Sequence, residues 1–165
     1  MKYTRFEELP VWQDAIELAI RIFELTARPE FKGYYTLKDQ LERAGVSISN
    51  NIAEGFERGT TQETLTFLYI SRGSSGETRS LTYLLERLRA FQTLIGEVLD
   101  IRARATRISR QLHGWCNSLQ NTDIKGQRYL TDKSRRLDAA EKDREERKKE
   151  WEQYRYKGKA NSTSD

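Results

Sequence analysis

Apolar residues recur at steps of three and four along the first two thirds of the chain, the pattern of amphipathic helices sharing one core. Val11, Trp12, Ala15, Ile16, Ala19, Ile22, Phe23 and Thr26 mark a first helix over residues 9–28. Pro10 suits its first turn, where a missing N–H has no bond to lose. Pro29 ends it, because the residue before a proline is disfavoured in helical geometry. Residues 29–35, with Gly33 and two tyrosines, read as a loop. A second helix is predicted over 36–59, with Thr36 as N-cap and Asp39 placed to meet the helix dipole. Its narrow stripe is Leu37, Leu41, Ala44, Ile48, Ile52 and Gly55, and Gly59 is the expected left-handed C-terminal cap.

Thr60-Thr61-Gln62-Glu63 supplies a capping box for a third helix over 61–91. A glycine stop followed at once by a capped start predicts an antiparallel hairpin. Leu65, Leu68, Ser75, Thr82, Leu85 and Leu88 form the inward side of this helix. Its middle, Ser71-Arg72-Gly73-Ser74-Ser75-Gly76, is weak helix that invites close approach of a neighbour or a bend. Gly96 marks a connection, and a fourth helix over 97–119 turns Ile101, Ala105, Ile108, Leu112, Trp115 and Leu119 inward. No period-two alternation is long enough for a sheet. The predicted fold is all-α, an antiparallel up-down four-helix bundle over residues 1–120. Residues 121–165 form a charged C-terminal extension with few large apolar residues, expected to be partly helical or disordered.

Composition sharpens this picture. Only Pro10 and Pro29 interrupt the chain, leaving 136 residues without the strongest helix breaker. Cys116 is the sole cysteine, which excludes an intramolecular disulfide and suits a reducing compartment. His113 is the sole histidine, so histidine-based metal or triad chemistry has no basis. With no run of about 18 apolar residues and no apolar signal core at the N-terminus, a soluble, cytoplasmic protein is expected. The net charge of +4 hides an asymmetry. Residues 1–100 carry 12 basic and 15 acidic side chains, whereas residues 101–165 carry 17 and 10. A basic C-terminal third points to an acidic partner, nucleic acid foremost.

Enzymatic constellations are not found. His113 and Cys116 stand three apart but have no further Cys or His to complete a metal site, and no Glu lies three residues before His113. Ser47 and Ser49 lack a nearby base. Gly55-Phe56-Glu57-Arg58-Gly59 lacks the Lys-Ser/Thr ending of a phosphate loop. Ser47, Asn51, Glu54 and Arg58 make a polar stripe in which Glu54 pairs with Arg72 or Arg58, and Asn50 or Asn51 fixes helix register. No catalytic residue, metal or cofactor is therefore expected.

The fourth helix carries the most telling charges. Arg102, Arg104, Arg107 and Arg110 occur without an acid between residues 101 and 122, and Lys125 and Arg128 extend the run. Positions 104, 107 and 110 lie broadly on one side, away from Ile101, Ile108 and Leu112. Regularly spaced cations neutralise successive phosphates, with affinity that falls steeply with salt. No base-reading motif accompanies them, so low sequence specificity is expected. The alternative function is a protein-interaction scaffold, with Trp12, Trp115, Trp151 and Tyr154 as candidate contacts.

The run Val46-Ser47-Ile48-Ser49-Asn50-Asn51-Ile52-Ala53-Glu54-Gly55-Phe56-Glu57-Arg58 resembles the four-helix-bundle family linked to intervening sequences of bacterial 23S ribosomal RNA genes, also labelled S23. Phe6-Glu7-Glu8-Leu9-x-Val11-Trp12-Gln13 is similar to its opening. Phe67-Leu68-x-Ile70-x-Arg72-Gly73-Ser74 is similar to its third helix, and Ile108-x-x-x-Leu112-His113-Gly114 to the end of its fourth. Ser75, Gly76 and Thr78 depart from the larger or more helix-favouring residues usual there. The resemblance implies a ring-like homopentamer without enzymatic activity. The chain is also similar to accessory proteins of diversity-generating retroelements, which implies nucleic acid and a reverse transcriptase as partners.

Overall fold

A computed structural model describes residues 3–121 and, in the charged extension, residues 140, 143, 144 and 146–149. Four long helices follow one another: α1 (Pro10–Thr26), α2 (Tyr35–Glu57), α3 (Thr61–Arg87) and α4 (Ile95–Gln120). Each neighbouring pair runs antiparallel, as the cross-helix contacts require. Thr26 Oγ1, at the end of α1, donates to Glu42 Oε1 near the start of α2. Gly55, late in α2, lies against Thr64 and Phe67, early in α3. Gln120 Nε2, at the end of α4, donates to the Tyr69 hydroxyl at 2.7 Å. Arg107 and Gln111 of α4 reach back to Asp14 of α1. The helices pack in the cyclic order α1, α2, α3, α4. This is the expected up-down four-helix bundle.

The core is built from the predicted stripes. Ala15, Ile22, Leu41, Ile48, Ile52, Leu68, Leu85, Ile101, Ile108 and Leu112 are all fully enclosed. The stripe of α1 is rotated from the expected one: Leu18 and Leu25 are buried, whereas Phe23 lies on the surface beside exposed Ile20. The small residues of α3 neither break nor bend it out of helix. Ser71 Oγ donates to the Ile48 carbonyl of α2 at 2.9 Å, and the Ser47 and Ser74 hydroxyls share a hydrogen bond of 2.9 Å. Asn51 Nδ2 donates to the Ser47 carbonyl at 2.7 Å, so Asn51 is tied to that seam. Gly55 permits the same approach, since a Cβ there would stand 2.8 Å from Phe67 Cβ.

Helix ends differ from the sequence reading in four places. α2 begins at Tyr35, so Thr36 is inside the helix; Gly33 at φ 91° turns the chain directly into it. Gly59 has no positive φ and caps nothing, because Arg58 is already extended and anchors its guanidinium on Glu54 of the last turn. α3 ends at Arg87, and a 3-10 segment, Arg89–Leu94, then swings Phe91 and Leu94 into the core. Gly96 lies within the first turn of α4 rather than in a connection. The loop after α1 also contains a 3-10 turn, Pro29–Phe31, with Phe31 buried. Thr60 does cap α3, accepting from the Glu63 N–H at 3.2 Å.

The chain divides into two units, Met1–Gln127 and Arg128–Asp165. In the second, residues 140, 143, 144 and 146–149 are helical and exposed, and Arg147 pairs with Asp143 one turn earlier. Lys125, Arg128, Trp151 and Tyr154 lie outside the described residues.

Cys116 is buried on the inner face of α4. Burial pushes its thiol up from the ordinary value, opposed by the positive charge of nearby Arg72. The sign follows directly. A thiol harder to ionise in the fold than in the unfolded chain contributes stability that is complete below the ordinary thiol range and is lost as pH rises through the folded value. Cys116→Ala is therefore expected to lessen the fall in stability above about pH 9, read by urea denaturation at pH 7 and at pH 10.

Candidate nucleic-acid interface

The helical period distributes the four arginines of α4 over different flanks. Arg102 turns toward α3 and is engaged on every side. Its guanidinium donates to the Thr82 carbonyl at 2.9 Å and to Glu86 Oε2 at 2.6 Å, and stacks 3.8 Å from the centre of the Tyr83 ring. Only 14% of this side chain is exposed. Arg104 donates to Asp100 Oδ2, one turn earlier, at 2.7 Å. Arg107 pairs with Asp14 of α1 at 3.2 Å. Arg110 is exposed and forms no ion pair among the described residues. Arg102 thus lies apart from Arg104, Arg107 and Arg110, and carboxylates of the same chain pair with three of the four arginines.

Pairing across the bundle is uneven in an informative way. In α1 the one cation, Arg21, is paired with Glu17 and Glu24. In α2, Lys38 pairs with Glu42 and Arg43 with Asp39. Within the four bundle helices, the cations without an ion pair among the described residues are Arg72, Arg79 and Arg87 of α3 and Arg110 of α4. The sequence reading considered Arg72 only as a partner for Glu54, but Glu54 is taken by Arg58 at 2.6 Å. Arg79 was missed altogether. Its Nε is enclosed by protein yet bonded to no acceptor, and no carboxylate among the described residues forms an ion pair with it.

Register contacts place these groups along the α3–α4 seam. Tyr69 meets Gln120 at one end, Arg72 lies close to Cys116, and Tyr83 meets Arg102 toward the other end. Antiparallel packing then sets Arg79 level with the stretch around Thr106 and Ser109, one turn from Arg110. Residues 69, 72, 76, 79 and 83 step by three and four, a stripe of Tyr, Arg, Gly, Arg and Tyr on one flank of α3. That spacing is present in the sequence, interleaved with the weak-helix Ser/Gly run. Glu77, the one acid between Glu63 and Glu86, falls on the opposite flank of α3 from Arg72 and Arg79.

The remaining candidates are separated. His113 is exposed and within 3.3 Å of Asn117 Nδ2, whereas Cys116 is buried. Among the described residues no group of three or more His, Cys, Asp or Glu is placed to hold a metal ion. No helix among them is long and apolar enough to cross a membrane. Trp12 packs edge-on against Phe6 with ring centres 5.1 Å apart, and Trp115 packs partly buried against the core.

Fold and site together define a helical bundle whose distinctive chemistry is a surface of unpaired guanidinium groups. The chain belongs to the 23S rRNA-intervening sequence protein family, whose model matches residues 7–114. A crystal structure of a protein of unknown function from the S23 ribosomal protein family of Bacteroides thetaiotaomicron VPI-5482 has the same fold. The two superpose with a TM-score of 0.57 at 23% identity, over 64% of this chain and 97% of that one. No curated protein matches the chain.

Proposed function

We propose that this chain is a non-enzymatic, cytoplasmic nucleic-acid-binding protein that holds RNA or DNA by its phosphates with low sequence specificity. The observation that carries the reading is the distribution of unpaired cations. α1 and α2 have theirs matched by carboxylates, while the α3–α4 face keeps Arg72, Arg79 and Arg110 for an outside anion. Arg110 is retained from the sequence-derived set, and Lys125 and Arg128 follow it in the chain as further cations. Arg102 and Arg107 are assigned instead to tying α4 to α3 and α1, and Arg104 is taken by Asp100 of its own helix. No base-reading element lies on this face, which favours backbone contacts over sequence readout.

The opposite side of the bundle supports a partner of another kind. Trp12, Ile16, Ile20 and Phe23 form an apolar row on α1, with Val46 of α2 beside Phe23. This row suits self-association, in keeping with the ring-like homopentamer that the resemblance implies, and leaves the α3–α4 face outward. Repeating a modest cationic face around a ring multiplies weak phosphate contacts. The same row favours the second reading, a scaffold or accessory subunit that docks a protein such as a reverse transcriptase.

The test is the salt dependence of RNA binding. Three phosphate contacts to a single strand contribute a slope of about 2 in log K against log salt, or about 100-fold in affinity at 0.1 M salt. The triple variant R72Q/R79Q/R110Q is expected to lose that much, with helical content unchanged by circular dichroism. An unchanged slope overturns the nucleic-acid reading and leaves the scaffold.

A further inference from the structure

We infer that the α3–α4 face takes single-stranded nucleic acid, its phosphates on Arg72, Arg79 and Arg110 and its bases against the rings of Tyr69 and Tyr83. This rests on the nucleic-acid reading above and narrows it to one class of ligand.

Three observations carry it. First, the two tyrosines stand in the same stripe as the two arginines and are 44% and 45% exposed, high values for residues on the flank of a packed helix. The Gln120 bond holds Tyr69, and Arg102, stacked at 3.8 Å, holds Tyr83 by one face with Arg87 5.9 Å from the ring centre, so a base meets Tyr83 on the part of the ring these cations leave exposed. Fourteen residues separate them, about 21 Å along the helix axis, which is the length of about six stacked nucleotides at 3.4 Å each. Second, the surface between them is cut down. A Cβ at Gly73 or Gly76 would meet no atom within 4 Å, so the stretch between the aromatic ends is open. A strand lying along the seam meets aromatic, cation, gap, cation and aromatic in turn. Third, the shape excludes the main alternative. α3 and α4 lie side by side, and two packed helices with axes 8–10 Å apart present a face about 20 Å across. The major groove of B-DNA is about 12 Å wide and admits one helix, not two, and that of an RNA duplex is narrower still. A duplex would touch this face only with its backbone, leaving both tyrosines without a role. Aromatic platforms interleaved with cations are the means by which proteins bind single strands, and stacking is indifferent to base identity.

The experiment uses the full chain and fluorescence-labelled 12-mers: oligouridine, oligothymidine and an RNA duplex of equal length. A duplex has the higher charge density, so phosphate attraction alone favours it. Binding of either single strand at least tenfold tighter than the duplex is the expected result. Y69L/Y83L is expected to lose roughly tenfold or more for each single strand and to leave duplex binding unchanged, whereas Y69F/Y83F, which keeps both rings and gives up only the Gln120 bond, retains most of the wild-type affinity. If Y83L disturbs the helical circular-dichroism signal through its contact with Arg102, Y69L alone is compared with Y69F. Equal or tighter binding of the duplex, or single-strand affinity indifferent to loss of the rings, overturns the inference. R72Q/R79Q/R110Q separates the levels. If it weakens all three ligands while the tyrosine variants change nothing, phosphate binding stands and the single-strand assignment falls. If it weakens none, the underlying reading falls as well.

Discussion

Phe91→Ala is expected to destabilise the bundle by about 4 kcal/mol, the middle of the range for removing a buried phenylalanine. Phe91 is fully enclosed, with its ring centre 4.6 Å from that of Phe31 and 5.0 Å from that of Tyr34. These three rings join the α1–α2 connection to the α3–α4 connection at one end of the molecule. Truncation removes the ring that touches both partners and leaves a cavity that two helix connections cannot both collapse into. At about 4 °C per kcal/mol, the melting temperature falls by on the order of 15 °C. Thermal and urea unfolding followed by circular dichroism check this, and Phe91→Leu should recover most of the loss. A fall of under about 1 kcal/mol would mean that the aromatic cluster does not join the two connections.

Phe91 also marks where the sequence stops being legible. The four helices could be read because each repeats its apolar residues at three and four over more than four turns. The start of α3 could also be read, from the local Thr60 cap, but four other ends could not, because tertiary contacts decide them. Periodicity carried α3 through Phe91, but ring packing against Phe31 and Tyr34 rewards a tighter turn there. Gly59 has the chemistry of a left-handed cap, yet the Arg58–Glu54 bond and the extended backbone at Arg58 end α2 first. Electrostatic pairing divides in the same way. Asp100 stands one turn before Arg104, a spacing readable from the chain alone. Asp14 reaches Arg107 from 93 residues away, and only the α1–α4 packing brings them together. Among the fourth-helix arginines, Arg110 was readable as a surface cation because no carboxylate among the described residues packs on it. Arg72 and Arg79 stand in a visible stripe with Tyr69 and Tyr83, but that no carboxylate among the described residues pairs with them is legible only in the structure.

Arg102→Ala separates the structural arginines from those proposed to bind. Removing Arg102 deletes hydrogen bonds to Thr82 Oγ1 at 3.2 Å and to the Thr82 carbonyl at 2.9 Å, the 2.6 Å pair with Glu86, and the stacking on Tyr83. The two hydrogen bonds are worth about 1 kcal/mol each. The ion pair is discounted because 38% of the Glu86 side chain is exposed to solvent, leaving about 0.5 kcal/mol, and the ring contact adds about 0.5 kcal/mol. The sum is about 3 kcal/mol of lost stability, on the order of 10 °C. Arg110→Gln removes an exposed cation with no ion pair and is expected to change stability by under about 0.5 kcal/mol, while lowering the salt slope of RNA binding by about 0.7. The two variants thus move different observables: one the melting temperature and little of the salt slope, the other the reverse. If Arg102→Ala instead leaves stability intact and lowers the salt slope, its guanidinium belongs to the binding face. The division between clamp and contact would then have to be redrawn along α4.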